Sequence, residues 1–182
     1  KTFPHYRDEL NRFQPEEIIG YPSAIADLAA QYQQVNCKPD FQVTTIVTNS
    51  ETLLEWQRER IESVFGCKVR DYYGTAEYVT FAAQDKNGIY QTNPVIGITE
   101  VIPDTANSNS GKVVATTLTN DLMPLLRYEI GDTATIPNDQ TGQVRQDALI
   151  AVNGRVDDYI KTADGRLIGR IDHIFKGLEG IH

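Results

Sequence analysis

Hydrophobic positions in the first part of the chain recur at helical spacing. The pattern predicts helix over 5–34, with a break where Pro15 lies among apolar residues. A second helix is predicted to begin at Pro22 and Ser23, because proline is favoured in the first turn of a helix. Its apolar face repeats every three or four residues, at Ile25, Leu28, Ala29 and Tyr32.

A strand, a helix and a second strand are predicted next. The β-branched run 41–47 indicates a short buried strand, and 48–51 forms the loop after it. Apolar residues at helical spacing predict a helix over 53–65, which Gly66 ends. The run 69–73 predicts the next strand. Two strands joined through a helix form a parallel, right-handed unit.

The spacing changes after Gly74, where short alternating or β-branched runs replace the helical pattern. These runs are 79–82, 95–102, 112–118, 125–130, 133–136 and 149–152. Turn-forming residues separate them, at 86–88, 107–111, 131–132 and 138–142. Such a pattern predicts an antiparallel β-meander or barrel. The predicted fold class is therefore α/β, with a parallel strand–helix–strand unit followed by antiparallel strands.

A third pattern begins at Gly154, where the chain becomes charged and rich in turns. Asp164-Gly165 predicts a hairpin between 159–161 and 166–168.

Composition excludes some kinds of partner. Of the 182 residues, 17 are Lys or Arg and 25 are Asp or Glu, which gives a net charge of −8. An acidic surface repels phosphate backbones, so no nucleic-acid partner is expected. The apolar runs are far shorter than the roughly 20 residues that span a membrane, so no membrane partner is expected. Nothing at the start resembles a secretion signal, and the expected location is the cytoplasm.

Cysteine and histidine give no sign of a disulfide framework or a metal site. Cys37 and Cys67 lack CxxC spacing, and small core or surface thiols are the simpler interpretation. The three histidines are scattered, at His5, His173 and His182.

Both ends of the sequence look cut. The chain starts at Lys1 rather than at an initiator methionine, and it stops at His182 just after an apolar pattern has begun. We therefore expect a piece of a longer protein.

The first candidate site is the run Asp71–Glu77, at the end of a predicted parallel strand. Loops at this end of a strand are where open α/β sheets bind ligands. Tyr73 offers an aromatic face for a flat heterocycle, and Gly74 allows close backbone approach. Thr75 offers a hydroxyl for phosphate, and Glu77 offers a carboxylate for Mg²⁺. The alternative is an ordinary turn with a surface glutamate.

Two further runs carry charge beside glycine. In Leu126–Asp132, Asp132 follows Gly131 in a predicted turn, where its carboxylate would accept hydrogen bonds from two ribose hydroxyls. The alternative is a hairpin turn in which Arg127 forms a local salt bridge. In 154–161, Asp157 and its acidic neighbour are flanked by basic residues, which suits a hinge; the alternative is a solvated connector.

The order of the three runs points to a family. "YGTAE", "RYEIGD" and "GRVDDYIK", in this order and spacing, resemble the adenylate-forming superfamily. More narrowly, "GYPSAIADLA", "TNSE" and "GRVDDYIKTADGRLIGRIDHIFKGLEGI" resemble its phenylacetate–coenzyme A ligase and capsular polysaccharide biosynthesis (CapK-like) branch. The resemblance extends from about Phe13 to the end of the chain.

Matched by position, the resemblance implies a role for each candidate in the middle of the chain. Tyr73 would stack on adenine, and Gly74 and Thr75 would line the nucleotide loop. Glu77 would be a catalytic residue that reaches the magnesium and the phosphates. Asp132 would bind the ribose hydroxyls.

The resemblance also assigns residues nearer the ends. Asn49, Ser50 and Glu51 match a loop that flanks the adenine pocket. Arg155, the second catalytic candidate, would lie near ribose or phosphate. Asp157 would be the hinge about which a small C-terminal α+β domain rotates.

Domain boundaries follow from the same resemblance. Residues 1–78 would be the α/β part of the large adenylation domain, and 79–153 its β-rich subdomain. Residues 154–182 would be the hinge and the start of the small domain.

Three features depart from the family pattern. Ala76 stands where many members carry a Thr or Ser that contacts the α-phosphate, and Thr75 is the nearest substitute. The family's Gly/Ser/Thr-rich phosphate loop would precede Lys1, and its adenylation-promoting lysine would follow His182. The chain alone is therefore expected to be inactive, because the phosphates lack their cradle and a stabilising cation.

The implied parent is an AMP-forming acid–thiol ligase that uses ATP, Mg²⁺ and coenzyme A on an aryl or small organic acid. A homodimer is possible for the full-length parent. Three alternatives stay open: an adenylate-forming protein of surface polysaccharide biosynthesis with an acceptor other than coenzyme A, a non-catalytic nucleotide-binding homologue, and an α/β domain whose motifs are only turns.

Overall fold

The computed structural model describes residues 2–106, 108–138, 146–155, 160–161 and 167–168. The chain divides into two compact units, and the boundary falls between Tyr72 and Tyr73, inside a strand. No helix among the described residues is long and apolar enough to cross a membrane.

The first unit alternates helices with parallel strands. Its elements are α1 (Phe3–Phe13), β1 (Glu17–Gly20), α2 (Pro22–Gln34), β2 (Thr45–Thr48), α3 (Glu55–Phe65) and β3 (Val69–Gly74). The strands lie in the order β1–β2–β3, and both pairs are parallel, with Ile46 of β2 opposite Ile18 and Val69. The predicted parallel strand–helix–strand unit is confirmed.

One cluster of buried side chains holds the first unit together. Helix α2 begins at Pro22, and its buried residues recur every three or four positions, as predicted. Helix α3 ends at Gly66, whose φ of +71° is a left-handed conformation that glycine adopts without a clash. The core of the unit consists of Ile25, Ala26, Ala29, Tyr32, Val43, Ile46, Ile61, Phe65 and Val69.

The helix predicted over 5–34 is wrong in its middle, where the structure has β1. Ile18 and Ile19 are β-branched, but a strand of four residues carries too little local pattern to be recognised. This strand is specified by its pairing with β2, where Ile18 lies opposite Ile46. Such a pairing is a tertiary contact, and it overrides the local helical spacing.

The second unit is antiparallel throughout its described pairs. Its strands are β4 (Phe81–Gln84), β5 (Tyr90–Thr92), β6 (Gly97–Pro103), β7 (Ser110–Thr117), β8 (Tyr128–Thr135), β9 (Ala148–Leu149), β10 (Ala151–Arg155), β11 (Ile160–Lys161) and β12 (Leu167–Ile168). Strands pair in the orders β4–β5–β9, β6–β7–β8–β10 and β11–β12. The predicted antiparallel part of the fold class is confirmed.

One prediction falls partly outside the described residues, and another is not tested. Strands β11 and β12 pair as the predicted hairpin requires, but its turn at Asp164 and Gly165 lies outside the described residues. The domain boundaries predicted at 78/79 and 153/154 stay predictions.

A buried hydrogen bond joins the carboxyl ends of β2 and β3. The Thr48 hydroxyl donates to Asp71 Oδ1 over 2.5 Å, and the two residues are opposite each other in the parallel register. Both are buried, with relative exposures of 0% and 6%. A buried carboxylate is stable only when donors satisfy it, so this bond fixes the strand ends from which the next loops begin.

Replacing Thr48 with Val should lower the free energy of unfolding by about 1–3 kcal/mol, because a buried carboxylate loses a donor while the side-chain shape is kept. Urea denaturation followed by circular dichroism measures the change. Thr45→Val, in the same strand but only half-buried, is the matched control and should change stability by less than about 0.5 kcal/mol. Equal effects at the two positions would contradict the role of the Thr48–Asp71 bond.

Candidate functional site

The loop after β2 contains three of the predicted residues, all in the first unit. The Ser50 hydroxyl donates to Asn49 Oδ1 over 2.7 Å, and Ser50 has a left-handed φ of +64°. Glu51 Oε2 accepts the Ser23 N–H over 3.3 Å in the first turn of α2. A carboxylate is favoured there by the helix dipole. The part of Asn49, Ser50 and Glu51 in a nucleotide site stays a prediction.

The segment after β3 forms a tight turn that presents the next candidates. The Tyr78 N–H donates to the Thr75 carbonyl oxygen over 3.1 Å, and Tyr78 has a left-handed φ of +56°. The Val79 N–H approaches Thr75 Oγ1 at 3.5 Å, so the hydroxyl hydrogen of Thr75 can serve another acceptor. Thr75 and Glu77 are half-buried in this turn, and Ala76 is exposed.

Glycine is required by the fold at Gly97 rather than at Gly74. A Cβ on Gly97 would lie 2.1 Å from the Val79 carbonyl oxygen, so only glycine lets β6 pass this close to the segment after the turn. A Cβ on Gly74 would meet Phe81 and Thr80 at an ordinary 3.6 Å. The fold thus gives no steric reason for Gly74, and its place in a nucleotide loop stays a prediction.

Tyr73 and Asp132 are brought together by the fold of the second unit. The Tyr73 hydroxyl donates to Asp132 Oδ2 over 2.7 Å, across 59 positions of sequence. The Tyr73 ring packs against the core of this unit, which includes Ala82, Tyr90 and Leu149. Burial, and then the adjacent Asp132 carboxylate, raise the pKa of Tyr73 far above its usual value. Tyr73 is therefore a neutral donor that orients the carboxylate.

A cavity of about 270 Å³ contains the main predicted residues of the second unit. It is lined by Thr75, Ala76, Glu77, Tyr128, Ile130 and Asp132. The run after β3 and the run ending at Asp132 therefore share one concave site, and Tyr73 reaches its edge through the bond to Asp132. A concave site with a few convergent polar groups is typical of small-molecule binding.

The predicted turn at Gly131 and Asp132 is wrong, because β8 runs without interruption through these residues. The register against β7 shifts between Lys112 and Val114, opposite this stretch, and Gly131 has a φ of +92°. These features describe a β-bulge, in which glycine supplies the left-handed residue. The glycine thus marks an irregularity within a strand.

Tyr128 and Ile130 were missed as site residues. They lie four and two positions before Asp132 on β8, and all three line the cavity. Alternation along a strand places such residues on one face, so the signal was present in the sequence. Predicting a turn at Gly131 hid it, because a turn would have ended the alternation.

The cavity is chemically suited to a ligand that carries both a cation and hydroxyl groups. Two carboxylates, of Glu77 and Asp132, and the hydroxyl of Thr75 line it. Among the described residues, no three His, Cys, Asp or Glu side chains converge as a metal site. Mg²⁺ is nevertheless compatible with the cavity, because it is often held by only one or two carboxylates together with substrate phosphates.

The last two candidates are at the edge of what the structure describes. The backbone of Arg155, in β10, is paired with Asp132 of β8. Asp157 lies outside the described residues, and its role as a hinge stays a prediction.

Sequence relatives carry the names that the motifs suggested. No protein-family model matches the chain. Protein CapK of Staphylococcus aureus is 28% identical over 174 residues, covering 94% of this chain and 38% of that protein. A phenylacetate–coenzyme A ligase of Thermus thermophilus is 28% identical over 133 residues, covering 68% of this chain and 30% of that enzyme. The chain thus spans between 30% and 38% of the length of these relatives.

The fold is similar to that of a solved ligase. A 2-hydroxyisobutyryl-CoA ligase, crystallised in the postadenylation state in complex with R3-HIB-AMP, matches with a TM-score of 0.76 and 23% identity. The match covers 98% of this chain and 41% of that one. These relatives in sequence and in fold confirm the resemblance that the ordered motifs indicated.

Replacing Tyr73 with Phe tests the buried hydrogen bond through pH. The pKa of Tyr73 is raised in the folded state, so its contribution to stability is fully present below the unfolded value of about 10 and is lost as pH rises beyond it. The stability difference between wild type and Tyr73→Phe should therefore shrink between about pH 9 and about pH 11. Urea denaturation at each pH measures it, and a difference independent of pH would contradict the assignment.

Proposed function

We propose that this chain, whose sequence and fold fit the phenylacetate–coenzyme A ligase and CapK-like branch of the adenylate-forming superfamily, carries the ribose- and magnesium-binding side of an acid–coenzyme A ligase. The observation that carries the proposal is the cavity that Thr75, Glu77 and Asp132 share. These residues come from two runs that are far apart in the sequence.

The shared cavity argues against the alternative in which the motifs are only turns. Two unrelated surface turns have no reason to present their polar side chains to one concave site. Here the Asp132 run is a bulged strand rather than a turn, and its carboxylate is held by Tyr73. A half-buried donor that bonds to one carboxylate is a feature of an organised site.

Asp132 is the proposed ribose-binding residue. A carboxylate has two oxygens and about four acceptor positions. Tyr73 uses one of these at Oδ2, which leaves the remaining acceptor positions for other donors. Two vicinal hydroxyls fit such an acceptor. Orientation by a neutral donor also preserves the negative charge that strengthens those bonds.

Glu77 and Thr75 are proposed to act on the phosphates. The Glu77 carboxylate would hold Mg²⁺, and the Thr75 hydroxyl would donate to a phosphate oxygen. Bound Mg²⁺ would neutralise phosphate charge and position the reacting groups. Thr75 suits the donor role because its oxygen already accepts from the Val79 N–H, while its hydrogen can point elsewhere. Ala76 cannot supply a hydroxyl from its exposed position.

The proposed reaction of the whole protein has two steps. A carboxylate oxygen of the acid attacks the α-phosphorus of ATP, and the bond to pyrophosphate breaks. The thiol of coenzyme A then loses its proton and attacks the acyl carbon, and AMP leaves. The chain's residues contribute mainly positioning and charge stabilisation. An aryl or small organic acid is the proposed substrate, in keeping with the relatives named for phenylacetate and 2-hydroxyisobutyrate.

A second candidate function keeps the first step and changes the acceptor. The CapK relative matches 94% of the chain, compared with 68% and 83% for two phenylacetate–coenzyme A ligases. An adenylate-forming protein of surface polysaccharide biosynthesis would activate an acid and transfer it to an acceptor other than coenzyme A. Pyrophosphate exchange without thioester formation would favour this second function.

Nucleotide binding by the chain itself can be tested by NMR titration, which detects weak binding. Asp132→Asn should weaken AMP binding about 10-fold or more, because charge-assisted hydrogen bonds to ribose are lost. Glu77→Gln should weaken binding of ATP with Mg²⁺ by a similar factor and change AMP binding without metal by less than about twofold. Shifts are expected at the amides of 75–78 and 130–132.

Glu129→Gln is the matched control. Glu129 lies on the same strand as Asp132, but it is exposed and paired with Lys112 at 2.8 Å. Its replacement removes the same charge and should leave both affinities within about twofold of wild type, because exposed ion pairs contribute little. No nucleotide-induced shifts in the wild-type chain, or equal losses in Glu129→Gln and Asp132→Asn, would contradict the proposed site.

The proposed activity is tested on a protein as long as the relatives, because the chain spans 38% and 30% of their length. ATP–pyrophosphate exchange, screened over aryl and small aliphatic carboxylic acids, should appear with at least one acid. No exchange with any acid in a well-folded sample would rule out the ligase function.

A further inference from the structure

The connection between β7 and β8 is closed tightly at its base. The Thr117 N–H donates to the Leu125 carbonyl oxygen over 2.9 Å, and the Leu125 N–H donates to Thr117 Oγ1 over 2.9 Å. On the strand side of this pair, the Arg127 N–H donates to Thr116 Oγ1 over 2.9 Å. These bonds hold 118–124 as a compact loop, so a side chain on it has a defined position.

Asn120 extends from this loop to the turn that carries Glu77. Its Nδ2 donates to the Glu77 carbonyl oxygen over 3.2 Å, and its Oδ1 accepts the Met123 N–H over 3.1 Å. A carbonyl only accepts and an N–H only donates, so these two partners fix the orientation of the amide group. Asn120 therefore bridges its own loop and the Glu77 backbone with both ends of its side chain.

The turn around Glu77 needs such support. Tyr78 has a left-handed φ of +56°, a conformation that is unfavourable for a residue with a side chain. Within the turn, the Tyr78 N–H is bonded to the Thr75 carbonyl. Asn120 adds a bond from outside the turn, at the carbonyl of the residue whose carboxylate lines the cavity.

We propose that Asn120 is a positioning residue for Glu77: by holding the Glu77 carbonyl, it sets where the Glu77 carboxylate stands in the cavity. This inference rests on the proposed function, in which Glu77 holds Mg²⁺ beside the phosphates. Asn120 touches neither metal nor nucleotide in this arrangement. It acts through Glu77, so its effect is confined to metal-dependent binding.

Asn120→Leu tests the proposal, because it keeps the approximate shape and removes both hydrogen bonds. Binding of ATP with Mg²⁺ should weaken about 3- to 10-fold, the effect of losing one net hydrogen bond to an organised site. AMP binding without metal should change by less than about twofold. Asp121→Asn, at the exposed neighbouring position, is the matched control and should leave both affinities near wild type. NMR titration of the whole chain measures each affinity.

A double-mutant cycle separates positioning from a general effect on folding. In a Glu77→Gln background, Asn120→Leu should weaken ATP binding by less than a further factor of about two, because the carboxylate that Asn120 positions is already gone. Amide exchange at Tyr78 should be faster in Asn120→Leu than in wild type, with or without nucleotide. Asn120→Asp restores the acceptor for Met123 but not the donor to Glu77, and it should not recover the wild-type affinity.

The failure of this inference and the failure of the proposed function give different results. The positioning role would be overturned if Asn120→Leu weakened AMP binding and ATP binding equally. It would also be overturned if Asn120→Leu weakened ATP binding as much in the Glu77→Gln background as in wild type. In both cases the effect of Glu77→Gln itself on binding of ATP with Mg²⁺ would still stand. If Glu77→Gln itself left binding of ATP with Mg²⁺ unchanged, the proposed metal role of Glu77 would be wrong, and the inference would fall with it.

Discussion

The hydrogen bond between Tyr73 and Asp132 is the interaction on which the candidate site depends. It joins the end of β3 to the bulge in β8. The cavity is lined by residues 75–77, which follow β3, and by Tyr128, Ile130 and Asp132 of β8. The Tyr73 ring is half-buried and packs against the core of its unit, which limits the movement of its hydroxyl. Burial and the neighbouring carboxylate raise the pKa of Tyr73, which keeps it a donor. A rigid donor beneath a carboxylate is how a protein fixes an acceptor in advance of its ligand.

The shape of β8 decides which other residues meet Asp132. Alternation along the strand places Tyr128, Ile130 and Asp132 on one face, and all three line the cavity. The register of β8 against β7 shifts beside these residues, opposite Gly131. Bulges are frequent next to functional sites. Across the cavity, Glu77 depends on Asn120, which belongs to a different loop. Asp132 is thus held by a residue of the other motif, Tyr73, and the Glu77 carbonyl by Asn120, which lies in no motif.

Much of the fold could be predicted from local pattern. Helix α2 was found from its apolar repeat, the end of α3 from Gly66, and the parallel unit from the order of strand, helix and strand. Strands β1 and β5 escaped because each has only three or four residues, too few for a period to be seen. The same limit explains Gly131, since a glycine in a left-handed conformation suits a turn and a bulge equally. Only the pairing with β7 separates the two possibilities.

The sequence by itself determined the family resemblance, the fold class and the choice of polar candidates, because ordered motifs and hydrophobic periods are properties of neighbouring residues. The tertiary structure decided which candidates meet. It placed Thr75, Glu77 and Asp132 at one cavity, added Tyr128 and Ile130, and gave Tyr73 a bond to Asp132. It also revealed Asn120, which lies in no motif and matters through a hydrogen bond across 43 positions of sequence. Contacts of this kind depend on how strands pair and loops close, and the local order of residues does not encode them.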